Sequence, residues 1–357
     1  MKLTKLLLVV MAACLITLGL SLTSYALHDD GVAHCDACHT MHNSEDGNTV
    51  AAGAVGPHLQ IGADPSSTCL TCHAGYGQFS DGSAYRAGGD FYWVTKDYTW
   101  SAHGRPQAST GDSHGHNVIA ADETGLDADA TLTTAPGGTY SANQLGCNSC
   151  HDPHGSQGNE SLLYGAEDTA FDYPGGYTFV NPAPVFLNAG RTKDVTDSDH
   201  SAFGSGMSEW CANCHAGFYN AVGKHPAGNN TGAALNGEAS NYNAYVATGD
   251  LSGVQATSYW EMIPFEDGAT DTSGLDRTST MGPDSTGNVM CLSCHRAHAS
   301  AFPNIGRWYF EDTLMLEDSH PMITDTGATQ EDVDNMYYGR VIPAGQRSFC
   351  NKCHVQD

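Results

Sequence analysis

Six copies of Cys-x-x-Cys-His run through this chain and use all but one of its thirteen cysteines. They are Cys35-Asp36-Ala37-Cys38-His39, Cys69-Leu70-Thr71-Cys72-His73, Cys147-Asn148-Ser149-Cys150-His151, Cys211-Ala212-Asn213-Cys214-His215, Cys291-Leu292-Ser293-Cys294-His295 and Cys350-Asn351-Lys352-Cys353-His354. Two thiols at this spacing match the two vinyl groups of a porphyrin, and the next residue brings an imidazole to the iron. Each copy is therefore the attachment signature of a c-type haem, with the His as proximal ligand. A single pair could instead be a dithiol redox centre or half a zinc site. Neither requires His directly after the second Cys, and sixfold repetition favours haem.

The first residues read as a secretory signal. Lys2 and Lys5 give a positive start, Leu6 to Leu22 an apolar run, and Ser24-Tyr25-Ala26 a small-x-small cleavage site. Residues 1–26 are expected to be removed, leaving 27–357 as one domain. The remaining cysteine, Cys14, lies inside that run; a lipoprotein reading of Met11-Ala12-Ala13-Cys14 is weakened because the apolar stretch continues past it. No later segment approaches the ~20 apolar residues of a membrane span. Export suits the chemistry, since haem c is attached outside the cytoplasm. The expected location is secreted, at the outer surface, with the periplasm as alternative.

Composition supports the haems independently. Leu, Ile, Val and Phe make up about 14% of residues 27–357 and the formal charge of the whole chain is −26, a combination otherwise typical of disorder. Six flat, largely apolar macrocycles would supply the missing core, so the apoprotein is expected not to fold. The acidic balance argues against nucleic acid. It suits a solvated surface, or cationic partners and metal ions.

Successive first cysteines lie 34, 78, 64, 80 and 59 residues apart, too uneven for a solenoid. Between them the chain is rich in Gly, Thr, Ser, Asn, Asp and Ala, and neither helical nor strand periodicity persists. The expected fold is a multihaem cytochrome c, mostly irregular coil, with short helices at the motifs and few short strands, elongated and organised by its haem chain.

Eighteen histidines follow the signal segment; six are proximal, leaving twelve for six distal positions, with eight methionines as competitors. His42, His154 and His298 each stand three residues after a proximal His. On a helical turn these positions share a face. The macrocycle blocks such a residue from its own iron, but it can reach the iron of a neighbouring haem.

The chain resembles the OmcS-like family, hexahaem extracellular cytochromes of metal-reducing bacteria that polymerise into filaments. The similar stretches are Gly31 to Ser44, Ala130 to Leu145, Cys147 to Gly155, Gly206 to His215, His225 to Asn229, Cys291 to Ser300 and Cys350 to His354. The resemblance implies six bis-histidine haems with His28, His42, His116, His154, His225 and His298 as distal ligands. It implies that the position of His42 ligates the haem of Cys291, Cys294 and His295 in the adjoining subunit. By the same comparison His58, His103, His114, His200 and His320 look like surface residues, and His34 is spare.

Three functions follow. The first is an extracellular electron conductor, a homopolymer exchanging electrons with other redox proteins or metal oxides, with no substrate pocket. A discrete periplasmic or surface shuttle would have the same haems without polymerisation. A multihaem reductase would need an open iron; the ample histidine supply and the lack of a Cys-x-x-Cys-Lys motif disfavour it.

Overall fold

The computed structural model describes residues 35–45, 48–49, 59–73, 88–154, 161–167, 177–189, 195–219, 221–311 and 313–354. The signal segment and His28, His34 and His58 lie outside these residues.

Every motif starts on a helical turn. α1 (Cys35–Cys38), α2 (Pro65–His73), α3 (Met207–Tyr219) and α5 (Cys291–Cys294) are α-helical, while Cys147–Ser149 and Phe349–Lys352 are 3₁₀ turns. Two further short helices, α4 (Glu238–Ala244) and α6 (Gln330–Asn335), lie between or after motifs. The starts are chemically marked. Pro65 opens α2, and Asp64 Oδ1 accepts from the Ser67 amide at 2.8 Å, pairing an N-cap carboxylate with proline in the first turn. Thr329 and Asp332 form a reciprocal capping box on α6.

Among the described residues, strands form three antiparallel pairs: β1 (Ser44–Glu45) with β2 (Asn48–Thr49), β3 (Tyr98–Ala102) with β4 (Arg105–Ser109), and β5 (Val185–Leu187) with β6 (Ala202–Ser205). The β3–β4 hairpin closes through His103 and Gly104, both at positive φ, the geometry of a two-residue turn whose twist matches its strands. His103 is thus an exposed turn residue, as expected from sequence.

Aliphatic scarcity is offset by aromatic packing. Trp93, Tyr98, Tyr242, Phe302, Trp308 and Phe349 are nearly solvent-free and belong to one buried cluster. Trp260 and Trp308 each meet Phe349 edge-on, with centroids 4.5 and 5.6 Å apart. Side chains therefore provide more core than the aliphatic count alone suggests. No described helix is long and apolar enough to cross a membrane.

Candidate haem-binding sites

The first, third and fifth motifs are built alike, although their sequences after the histidine differ. In each, the second cysteine's carbonyl accepts an amide from a returning segment: Ile61 to Cys38 at 3.0 Å, Tyr164 to Cys150 at 3.0 Å, Arg307 to Cys294 at 2.8 Å. The residue after the proximal His donates back, Thr40 to Leu59 at 2.7 Å, Asp152 to Leu162 at 2.7 Å and Arg296 to Ile305 at 2.8 Å. Leu59, Leu162 and Ile305 all adopt positive φ, at 61°, 50° and 56°. Such residues avoid that region unless the surroundings impose it, so three equivalent occurrences mark a shared construction.

The second and third motifs meet, as do the fourth and fifth. The Cys147 amide donates to Ser66 Oγ at 3.0 Å, and the Cys291 amide to Ser208 Oγ at 3.0 Å. Ser66 and Ser208 both lie three residues before the first cysteine of their own motif. The thiols of Cys69 and Cys147 are neighbours, as are those of Cys211 and Cys291. The unit that repeats is thus a pair of motifs, one to two, three to four and five to six. The near-equal intervals of 78 and 80 residues between pairs are its trace in the sequence.

Four pairs of candidate ligands face one another. Ring centroids lie 6.2 Å apart for His39 and His154, 6.3 Å for His151 and His298, 6.0 Å for His116 and His215, and 6.0 Å for His225 and His354. Two imidazoles on opposite sides of one metal, each bonded at about 2 Å, have centres about 6 Å apart. Direct stacking in the same protein is much closer, 3.7 Å for His200 on Tyr259 and 3.9 Å for His320 on Trp100. The facing pairs stand at metal-bridging distance.

Ring tautomers agree. A carbonyl can only accept, so each Nδ1 bonded to one carries the proton and leaves the Nε2 lone pair for a metal. This holds for His151 on Ser161 O (2.6 Å), His215 on Pro136 O (2.8 Å) and His295 on Asn304 O (2.7 Å). It also holds for His116 on Ala297 O (2.6 Å) and His225 on Pro226 O (2.9 Å). Burial, with like-charged His neighbours adding to it, lowers His116 to about 4 and His298 to about 3. Burial likewise lowers His151 and His295, so these rings are neutral at pH 7, as ligation requires.

Three of the histidines expected at the surface are covered. His114 is fully buried, its Nε2 against Ser109 Oγ at 2.5 Å and its Nδ1 against Trp93 O at 3.0 Å. His200 is 4% exposed and spends both nitrogens on the carbonyls of Ser201 and Ser279. His320 is largely covered, stacked on Trp100 with Nδ1 2.6 Å from Asp325. These partners enclose both rings, so neither His114 nor His200 is open to an iron. Sequence could not reveal this, because the partners are backbone carbonyls and a serine far from any motif.

His42 is exposed and flanked by Met41, itself 75% exposed. His295 has Phe310 edge-on at 5.5 Å and no facing histidine among the described residues. His73 is exposed at the end of α2. The cysteines from Cys69 to Cys353 are in no disulfide, and no group of three or more described His, Cys, Asp or Glu side chains gathers as a bare-metal site. Thiol pairs beside neutral, Nε2-presenting imidazoles at bridging distance fit covalent haem and do not fit zinc.

No family model matches the chain. It is 38% identical over 415 aligned residues to the C-type cytochrome OmcS of Geobacter sulfurreducens, covering 94% of this chain and 95% of that protein. Two solved filaments from that organism are similar in structure. The Outer Membrane Cytochrome S filament matches at a TM-score of 0.76 and 35% identity, and the OmcS nanowires at 0.78 and 36%. Each match covers 92% of this chain and all of the solved one.

Proposed function

The chain belongs to the family of the C-type cytochrome OmcS, and on that premise we propose that it is a hexahaem electron-transfer protein that polymerises outside the cell. Residues 1–26 are the export signal and 27–357 the single mature domain. Haem c supplies a one-electron carrier at each motif, held through Cys35 and Cys38, Cys69 and Cys72, Cys147 and Cys150, Cys211 and Cys214, Cys291 and Cys294, and Cys350 and Cys353. The proximal ligands are His39, His73, His151, His215, His295 and His354. The protein's own work is spacing, ligation and tuning of potential.

One observation carries the reading, a rule of succession among distal ligands. His154, three residues after the third motif's His, faces His39 of the first motif; His298 of the fifth faces His151 of the third. Extended once more, the rule asks for the corresponding residue of a following first motif to face His295. That residue is His42, which is exposed and which the proposal assigns to no haem of its own chain. Each chain thus has one unused ligand at one end and one unfilled demand at the other. A contact that satisfies both is head-to-tail and does not close on itself, which generates a filament.

The even motifs follow a parallel rule. His116 precedes the third motif and faces His215, and His225 precedes the fifth and faces His354. His28 precedes the first and is assigned to His73. Electron donors and acceptors are other redox proteins or metal oxides. The test is His42→Ala in the secreted protein, with electron microscopy and ferric spin state as readouts. Loss of filaments with one haem altered supports the reading; ordinary filaments would overturn the ligand exchange.

A further inference from the structure

The three equivalent odd motifs share backbone hydrogen bonds but not charge. The residue after the proximal His is Thr40, Asp152 or Arg296, and the residue returning to the second cysteine is Ile61, Tyr164 or Arg307. Only the fifth motif has cations at these places. Both are buried, Arg296 and Arg307 each at 3% exposure, in a chain with 14 Lys and Arg against 40 Asp and Glu.

Arg307 grips the haem-attachment loop itself. Its Nε donates to Leu292 O at 2.6 Å and His295 O at 3.1 Å, and its Nη1 to Glu261 O at 3.0 Å. The Glu261 carboxylate is shared by Arg340 at 3.3 Å, Arg307 at 3.7 Å and Arg296 at 3.9 Å. Asp197 joins them by accepting the Glu261 amide at 2.9 Å. Three guanidiniums against two carboxylates leave a net positive charge beside the motif. Arg307 touches the attachment loop directly, through the carbonyls of Leu292 and His295. At the third motif the residue in the place of Arg296 is the buried Asp152, of opposite charge type.

We propose that Arg307, assisted by Arg296 and Arg340, holds a fixed positive potential on the haem of Cys291, Cys294 and His295, making it the highest in reduction potential of the three odd-motif haems. A nearby cation favours the reduced iron, which carries one positive charge fewer, and low dielectric strengthens the effect. Of those three haems, that is the one on which an electron rests longest. The inference rests on the preceding reading only in requiring a haem on the fifth motif.

The test is a spectroelectrochemical sweep of the purified holoprotein with Arg307→Gln, Arg307→Lys and Arg340→Gln. In Arg307→Gln about one-sixth of the absorbance change moves to lower potential while the rest stays, and Arg307→Lys stays near the parent. Arg340, 22% exposed and outside the motif, gives a smaller downward shift of the same fraction. Should Arg307→Gln shed its haem, the Arg340→Gln shift decides: present, it supports the proposal; absent, it overturns it. Unmoved curves, a shift spread over all haems, or Arg307→Lys behaving like the Gln variant would also overturn it. A parent haem count below six would instead strike the functional reading, so the two failures are distinct.

Discussion

Replacing His154 by Ala removes one imidazole at a predicted place with a predicted size. Its ring stands 6.2 Å from that of His39 with an interplanar angle of 13°, so the haem affected is that of the first motif, not that of the third, in which His154 sits. With metal–nitrogen bonds of about 2 Å, the alanine Cβ is left about 6 Å from the iron, room for one free imidazole. The ferric protein should then show a high-spin signal from about one haem in six, and added imidazole should return it to low spin. Electron paramagnetic resonance reads both steps. Adding Cys35→Ser and Cys38→Ser deletes the first haem and should delete the signal with it. A His154→Ala protein that stays wholly low-spin, or a signal that survives loss of the first haem, would refute the pairing.

Other outcomes follow from the same geometry. His200→Ala should destabilise the protein by about 2–4 kcal/mol in chemical denaturation without altering any haem spectrum, because it removes a buried, hydrogen-bonded and stacked ring. Ser208→Ala should cost about 1 kcal/mol by leaving the Cys291 amide uncapped, and Ser66→Ala should do the same at Cys147. Burial raises Glu266 to about 8 from its ordinary 4.5. The folded state therefore binds more protons than the unfolded one between those values, and stability falls as pH rises through that window. Glu266→Gln should flatten the decline, measured as denaturation midpoint against pH. Expression without haem maturation should yield no cooperative thermal transition; a sharp one would show that the aromatic cluster folds alone.

The motifs point to the thiols and proximal imidazoles that the proposal uses, because attachment chemistry dictates both residue type and spacing. Distal ligands are less legible: a histidine's type does not say whether its lone pair is free. His114 and His298 differ in what surrounds them, carbonyl and hydroxyl on both nitrogens for the first, a facing imidazole for the second. The resemblance separates these two by position, yet it places His114 and His200 at the surface, whereas their partners hold them inside. The paired repeat was hidden for another reason. Its signature is backbone hydrogen bonding around Leu59, Leu162 and Ile305, and that pattern tolerates Ile61, Tyr164 or Arg307 at one equivalent place. Aromatic packing, too, exceeds what a count of aliphatic residues foretells.

The succession of ligands from motif to motif, within the chain and then beyond it, is tested most directly by an experimental density map of the secreted polymer. The account predicts iron between His39 and His154 and between His151 and His298, and a fifth-motif haem capped by His42 of the next subunit. A fifth-motif iron capped from its own chain, with His42 left in solvent, would contradict it.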